Sequence, residues 1–418
     1  MKVTPPNGVV TARTLLSGRL TRIASTKMST VLASSDYTYT TITPAGEPER
    51  DAALVKTVLD QDGNTTSYGY DPDQGFLASA VKRNGAGAIV GGYEYAYAYD
   101  LMGNRTSETV NGTTTASVFN DANQLTSRGA TTFSYDGNGN LLSSSAGAAY
   151  SYNPKNQSSS LKQAGGQTQT QTYAGASQFE RLEKVNGTGT YTQFGASILG
   201  TLIRKQGAAT YYTRLPNGEI LSQRTPAGTH YYLTDGLGTI VALTDTNGTI
   251  AGRYTYDPYG NTLTETTGMP YNPWRFKSGY QSQTTGLYKF GHRWYDPSVG
   301  RWTQADPLEQ PTKPGDWNRY AYASGNPVNL SDPSGLLVTC SLRFGCTIDI
   351  AKHVKRFLNN ERVQSTIGEC AAGAALGAFL AIKGGPITAL YAPHAALAGC
   401  ALGGVAGDGL SKRFPSPL

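Results

Sequence analysis

Charged side chains are scarce in this chain of 418 residues, of which lysine, arginine, aspartate and glutamate make up 15%, whereas an average soluble domain has about 25%. Cysteine is absent from the first 336 residues, which excludes a disulfide framework or a cysteine zinc site there. The sequence also lacks a phosphate-binding glycine loop, zinc-spaced cysteines and a nucleophile elbow. We therefore expect no cofactor and no metal.

An apolar segment is also missing from the start of the chain, residues 1–8, so no secretory signal is recognisable there. The repeat pattern described below is already present at the start of the chain. We therefore expect either a fragment of a longer protein or export by a route that needs no cleavable signal.

Glycine and tyrosine are abundant, with 50 and 27 residues. Together with many threonine, serine and asparagine residues, they favour short β-strands joined by tight turns. This composition argues against a doubly wound α/β enzyme or a helical bundle for most of the chain.

One short pattern recurs six times: an aromatic residue, then Asp or Asn, and after two or three residues Gly or Asn. The copies begin at Tyr70, Tyr99, Phe119, Tyr135, Tyr152 and Tyr256. We expect the aromatic residue to end a strand, the Asp or Asn to accept a backbone hydrogen bond two residues on, and the later residue to take a positive φ. Tyrosines 93, 95, 97 and 99 alternate, which places them on one strand face. Because one hairpin cannot bury its apolar face, the pattern predicts stacked hairpins.

This pattern resembles the YD repeats of the RHS proteins, a family that includes the C components of bacterial toxin complexes and the teneurins. The similarity is densest over residues 254–336, through motifs such as Phe276–Tyr280, Gly291–Pro297 and Asp332–Leu336. It implies a mainly β fold, with YD-repeat hairpins stacked into a spiralled sheet, or partial shell, that encloses the segment after the core. We divide the chain into an N-terminally incomplete repeat region (1–253), an RHS repeat-associated core (254–336) and a variable, small α-helical tail (337–418).

The resemblance also implies a site. Many family members cut themselves after a junction that matches residues 327–336, using two aspartates supported by an upstream arginine. Matched onto this sequence, the aspartates are Asp306 and Asp332 and the arginine is Arg293. The cut would fall between Leu336 and Leu337.

The chemistry of such a site follows from its charges. Two close carboxylates cannot both ionise cheaply, so they share a proton and can activate water while protonating a leaving group. A guanidinium favours the ionised partner. The segment between the two aspartates is a few residues longer than usual, over 308–317, which a loop could absorb. The alternative is that these Asp-Pro pairs only start turns, as we expect at Asp257 and Asp296.

Two histidines and the tail complete the candidates. We expect His230 and His292 to be packed or exposed side chains rather than ligands. Residues 347–363 predict a basic amphipathic helix, and 370–407 contain a single charge, Lys383. That stretch is either a membrane-contacting hairpin or a small helical domain with an Ala/Gly core.

Cysteine and charge in the tail leave further alternatives. The tail holds all four cysteines, which form either two disulfides or buried thiols: Cys340, Cys346, Cys370 and Cys400. It also carries eight basic and four acidic side chains, or +4 of the net charge of +6. This excess is too small to predict a strong nucleic-acid patch.

These features predict a polymorphic toxin or effector whose β-shell carries a C-terminal payload released by aspartyl self-cleavage. Its expected partners are a cognate immunity protein and a secretion apparatus or delivery protein, and it would be cytoplasmic before export and then secreted or at the cell surface. Two alternatives stay open. One is a structural or adhesive surface protein whose exposed tyrosines bind carbohydrate, and the other is a truncated RHS cassette without activity.

Overall fold

The structure is a computed structural model that describes residues 2–41, 53–174, 180–193, 201–205, 208–215, 218–307, 318–336 and 338–340. Apart from Gly218, these residues belong to one compact unit, Met1–Leu215 with Glu219–Phe344. The predicted basic helix, the 370–407 stretch and the cysteines after Cys340 lie outside the described residues. Among the described residues, no helix combines the length and the hydropathy of a membrane span.

Twenty-five strands of the described chain form one antiparallel sheet. Each strand pairs with the next along the chain, from the first to the last. The prediction of a mainly β fold built from stacked hairpins is therefore confirmed. The strands are β1 (Lys2–Val3), β2 (Val9–Leu16), β3 (Arg19–Lys27), β4 (Thr30–Thr41), β5 (Ala53–Asp60), β6 (Thr65–Tyr70), β7 (Leu77–Arg83), β8 (Ile89–Tyr99), β9 (Arg105–Val110), β10 (Thr113–Phe119), β11 (Leu125–Arg128), β12 (Thr131–Tyr135), β13 (Leu141–Ser144), β14 (Ala149–Tyr152), β15 (Ser158–Lys162), β16 (Gln169–Ala174), β17 (Glu180–Val185), β18 (Thr188–Gln193), β19 (Thr201–Lys205), β20 (Ala208–Arg214), β21 (Ile220–Thr225), β22 (Gly228–Thr234), β23 (Ile240–Thr244), β24 (Ile250–Tyr256) and β25 (Thr262–Glu265).

The recurring sequence pattern forms one type of turn. In all six copies the aromatic residue is the last of its strand. In the copy after β8, the Asp100 carboxylate accepts the backbone N–H of Met102 at 2.9 Å and of Asn104 at 2.8 Å. The fourth turn residue, Gly103, takes a φ of 74°. The turns at Asp136 and Asp257 repeat these bonds, so the predicted turn chemistry is confirmed.

The alternating tyrosines of β8 also lie as predicted. Tyr93, Tyr95, Tyr97 and Tyr99 belong to one hydrophobic cluster with residues of β3, β4, β5 and β7. Tyr95 and Tyr97 are only 5% and 7% exposed. This tyrosine face is therefore turned into the core of the sheet and not toward solvent.

The sheet curls until its first strands pack on its last. Val9 and Ala33, near its start, form a buried cluster with Leu233 and Ala242 of β22 and β23. The Arg253 guanidinium of β24 donates a hydrogen bond of 2.7 Å to the carbonyl of Leu32. Among the described residues, no backbone pairing joins β1 to β25, so the sheet is a spiral and not a closed barrel.

A short, aromatic segment follows the large sheet. It contains a four-stranded sheet and a two-stranded one: β26 (Tyr280–Gln281), β27 (Tyr288–Phe290), β28 (Arg293–Asp296) and β29 (Arg301–Trp302), then β30 (Leu330–Ser331) and β31 (Thr339–Cys340). Its centre is a cluster of rings that includes Phe276, Tyr288, Phe290, Tyr295, Trp302 and Tyr322. Trp274, Tyr280 and Trp294 join the buried cluster of the large sheet.

Turns of the large sheet hold this aromatic segment by hydrogen bonds. Asn326 Nδ2 donates to the carbonyl of Gly75 at 2.8 Å, and Arg301 Nη1 donates to Asn104 Oδ1 at 3.0 Å. Tyr320 Oη donates to the carbonyl of Gly139 at 2.7 Å. These acceptors belong to the first, second and fourth copies of the repeated turn, so the repeat aligns partners for the core.

Gly139→Ala tests this attachment. Gly139 has a φ of 81°, and a Cβ there would lie 2.6 Å from Tyr320 Oη. We expect a loss of about 1–2 kcal/mol from the backbone conformation alone and a further loss from the displaced tyrosine. Urea unfolding measures it.

The control for this substitution is Gly137→Ala in the same turn, where a Cβ would meet nothing within 4 Å. An equal effect of the two changes would contradict the account.

Candidate functional site

Three segments of the chain converge on one buried ion pair. Arg293 is the first residue of β28, Asp306 lies four residues after β29, and Asp332 follows β30 directly. Arg293 Nη2 lies 2.8 Å from Asp306 Oδ2 and 3.1 Å from Asp332 Oδ2. The structure therefore brings together the three residues that the sequence analysis selected.

This group is nearly sealed from solvent. Arg293, Asp306 and Asp332 are 4%, 8% and 1% exposed. Two carboxylates and one guanidinium leave one formal negative charge if both acids ionise. Burying an uncompensated charge costs several kcal/mol, so the guanidinium of Arg293 offsets much of the cost of burying the two acids.

The guanidinium of Arg293 is held on all sides. Its Nε donates to the carbonyl of Gly335 at 2.5 Å and its Nη1 to the carbonyl of Arg319 at 3.2 Å. Its plane lies over the ring of Trp302, with Cζ 4.2 Å from the ring centroid. Arg293 therefore joins the junction, the segment after 317 and strand β29.

Asp306 is fixed across the longer segment that separates the two aspartates. Its backbone N–H donates to the carbonyl of Arg319 at 2.9 Å, and Arg319 Nε donates to the carbonyl of Asp306 at 2.7 Å. Residues 308–317 lie outside the described residues. Because the chain is hydrogen bonded on both sides of them, the extra length does not separate Asp306 from Arg293.

Asp332 also starts a turn. Its Oδ1 accepts the Leu336 N–H and the Ser334 hydroxyl, both at 3.1 Å, as in the repeats. The expectation that Asp-Pro pairs start turns is likewise confirmed at Asp257 and Asp296. At Asp332 the turn and the ion pair coexist, so the turn does not exclude a chemical role.

Gly335 locks the junction against the hairpin before Arg293. It has a φ of 67°, and a Cβ there would lie 2.3 Å from the carbonyl oxygen of Phe290. His292 N–H donates to the carbonyl of Ser334 at 3.0 Å. Only glycine fits this approach of two backbones, which places Leu336 next to the buried ion pair.

The expected cleavage point lies between two paired strands. β30 and β31 pair antiparallel through Leu330 with Cys340 and Ser331 with Thr339. Leu336 is described, whereas Leu337 lies outside the described residues. In sequence, the Leu336–Leu337 bond therefore lies between β30 and β31.

The histidines differ in their surroundings. Burial lowers the pKa of His292 to about 3, helped by the charges of Lys289 and Arg293, so its imidazole stays neutral near pH 7. Burial also lowers the pKa of the half-buried His230, against the effect of Asp245. In the described part of the chain no group of three or more His, Cys, Asp or Glu side chains could hold a metal ion.

Two contributors were missed by the sequence analysis. Arg319 orders Asp306, and Gly335 permits the close approach of the junction. Both stand inside motifs that carry the family resemblance, at 318–322 and 332–336. Their roles depend on contacts with distant residues, so no local pattern indicates them.

Comparisons with known proteins identify a family for this chain. The family model described as Teneurin YD-shell matches residues 55–328. A structural match is the crystal structure of TcdB2-TccC3-Cdc42, with a TM-score of 0.37 and 16% identity over 78% of this chain and 22% of that one.

Two of the curated relatives are much longer than this chain. The tRNA3(Ser)-specific nuclease WapA of Bacillus spizizenii is 28% identical over 253 residues, which cover 57% of this chain and 11% of that protein. Toxin protein Tse5 of Pseudomonas aeruginosa is 33% identical over 108 residues, or 26% of this chain and 8% of Tse5. The chain therefore matches only about a tenth of the length of either relative.

Replacing Arg293 by methionine tests the electrostatics of the site. Two buried carboxyl groups would then lack their cation, and we expect the free energy of unfolding at pH 7 to fall by roughly 3–5 kcal/mol. Urea unfolding at pH 7 measures this.

The control is Arg22→Met, which breaks an ion pair with Asp36 whose side chains are 43% and 31% exposed. Breaking it should cost under about 1 kcal/mol. A loss for Arg293→Met that is equally small would contradict the described ion pair.

Proposed function

Because this chain belongs to the Teneurin YD-shell family of RHS/YD-repeat proteins, we propose that it is a toxin or effector that cuts itself after Leu336. In this proposal the spiral sheet and its core carry a C-terminal payload, residues 337–418. The observation that carries the proposal is the contact of one Arg293 nitrogen with both Asp306 and Asp332 beside the junction turn. RHS-type toxins are the class to which the relatives point.

The reaction is a hydrolysis that the two carboxyl groups can share. The ionised carboxylate takes a proton from a water molecule as the water oxygen attacks the carbonyl carbon of Leu336. The protonated carboxyl gives its proton to the nitrogen of Leu337 as the C–N bond breaks. One water is consumed, Leu336 gains a carboxylate and Leu337 an amino terminus, and the pair again holds one proton.

Each neighbour contributes to this step. Arg293 favours the state in which one of the two carboxyl groups is ionised, because its positive charge stabilises that anion. Gly335 and Ser334 hold the residue before the cut in place. Orientation of this kind is a large part of catalysis when the reacting groups are already in one molecule.

The names of two relatives support the proposal of a toxic payload. WapA is named a tRNA nuclease and Tse5 a toxin, so we propose that residues 337–418 act against a cell. A cognate immunity protein would protect the producing cell. A secretion apparatus or delivery protein would export the chain, which would be cytoplasmic before export.

The alternative of a carbohydrate-binding adhesin receives less support. It requires exposed tyrosine faces, yet the tyrosine face of β8 packs into the core. The truncated, inactive cassette receives less support as well, because the core is hydrogen bonded to turns from β6 to β13.

Intact mass measurement of the purified protein tests self-cleavage. We expect the wild type to separate into two fragments, one of them residues 337–418, while Asp306→Asn and Asp332→Asn stay at 44.4 kDa. The side-chain amide of asparagine cannot accept and release the proton that the reaction needs.

Asp296→Asn is the matched control, since Asp296 also starts a buried Asp-Pro turn, and its described side-chain contacts are with Gln163 and Ser298 rather than with the ion pair. It should be cut like the wild type. A wild type that remains whole, or aspartate variants that are still cut, would refute the proposal.

Growth of bacteria that produce residues 337–418 alone tests the payload. We expect growth arrest, whereas the chain shortened to residues 1–336 should be harmless. Colony counts after induction measure the difference, and normal growth with the tail present at a comparable level would contradict its role as a toxin.

A further inference from the structure

A buried lysine lies near Asp332 and has no place in the cleavage chemistry described so far. Lys277 is 6% exposed. It belongs to a short 3-10 turn, Phe276–Ser278, in which Lys277 and Ser278 take φ values of 48° and 54°. These left-handed conformations are uncommon for residues other than glycine, and they accompany a lysine side chain that points into the core.

The ammonium group of Lys277 binds the strand that leads to Asp332. Its Nζ donates a hydrogen bond to the carbonyl of Leu330, the first residue of β30 and two residues before Asp332. The nitrogen also lies 5.0 Å from the ring centroid of Tyr322 and 5.1 Å from that of Phe276. Lys277 therefore connects the turn at 276–278 directly to the segment that carries an aspartate of the proposed reaction.

Two acidic side chains, Asp235 and Asp332, interact electrostatically with the Lys277 ammonium group and raise its pKa. Asp235 already accepts the backbone N–H groups of Leu237 and Thr239, at 2.9 and 2.8 Å. Burial lowers the pKa of Lys277 to about 7, although both acids oppose the shift, so the ammonium form dominates only below that pH.

Arg293 Nη2 lies close to both aspartates. Lys277 instead binds the strand that leads to Asp332, through the carbonyl of Leu330. The Asp332 carboxylate in turn accepts hydrogen bonds from the Leu336 N–H and the Ser334 hydroxyl. A shift of β30 would therefore move both Asp332 and the junction that it holds.

We propose that Lys277 is a positioning residue for self-cleavage, which holds the strand that carries Asp332 through the carbonyl of Leu330. This inference rests on the proposed function.

The experiment follows cleavage of the full-length chain after synthesis in a cell-free translation mixture, at several pH values. The variants are Lys277→Met, which removes the charge, and Lys277→Arg, which keeps it at every pH used. Lys27→Met is the matched control, since Lys27 Nζ also donates to a main-chain carbonyl, that of Asn7 in the large sheet.

We expect Lys277→Met to be cut at least about tenfold more slowly at pH 6.5, the effect of losing one hydrogen bond to a charged group. The wild-type rate should fall as the pH rises through 7, because Lys277 then loses its proton. In Lys277→Arg this fall should be absent or move to higher pH, and Lys27→Met should match the wild type.

The outcomes separate the inference from the proposed function. A wild type that is not cut overturns the proposed function. A wild type cut through Asp306 and Asp332, together with a folded Lys277→Met variant of the same rate and pH profile, overturns only the role of Lys277. If Lys277→Met does not fold, judged by its thermal unfolding, the pH profile of Lys277→Arg decides, and a fall identical to that of the wild type overturns the inference.

Discussion

The contact of the Arg293 guanidinium with two buried carboxylates is the interaction on which the core depends. Without that cation, negative charge on Asp306 and Asp332 would be uncompensated in a region almost closed to water, and the cost would be a large part of the stability of an ordinary domain. The same guanidinium binds the carbonyls of Gly335 and Arg319. One side chain therefore both compensates the charges and fixes the three segments that would have to be aligned for cleavage.

The large sheet forms at a small cost in conformational entropy, because its strands pair with neighbours in the sequence. Every strand pairs with its sequence neighbour, so each hairpin closes a short loop. The aromatic–Asp turns then present backbone carbonyls and asparagine side chains at regular intervals, and the core binds them through Asn326, Arg301 and Tyr320. The repeated turns therefore support the core, in which residues distant in sequence form the ion pair.

The sequence could predict the features that depend on adjacent residues, but not those that depend on distant contacts. The strand ends at Tyr99 and Tyr135, the Asp100 and Asp136 turns and the positive φ at Gly103 and Gly139 all depend on a few adjacent residues, and they were predictable. Arg293, Asp306 and Asp332 came from the family resemblance. The packing of Val9 on Leu233 and the bond between Asp306 and Arg319 depend on how the sheet curls, which no local pattern encodes. The role of Lys277 was not predicted, because its left-handed backbone and its hydrogen bond with Leu330 depend on residues distant in the sequence.

The most direct test of the central claim is the position of the oxygen atom that cleavage adds. The chain would be synthesised in water enriched in ¹⁸O, and the new C-terminal peptide would be analysed by mass spectrometry. If two carboxyl groups activate water, the N-terminal fragment ends at Leu336 and carries one ¹⁸O in the carboxylate of that residue. A different end residue, a label on Asp306 or Asp332, or no cleavage at all would contradict the account.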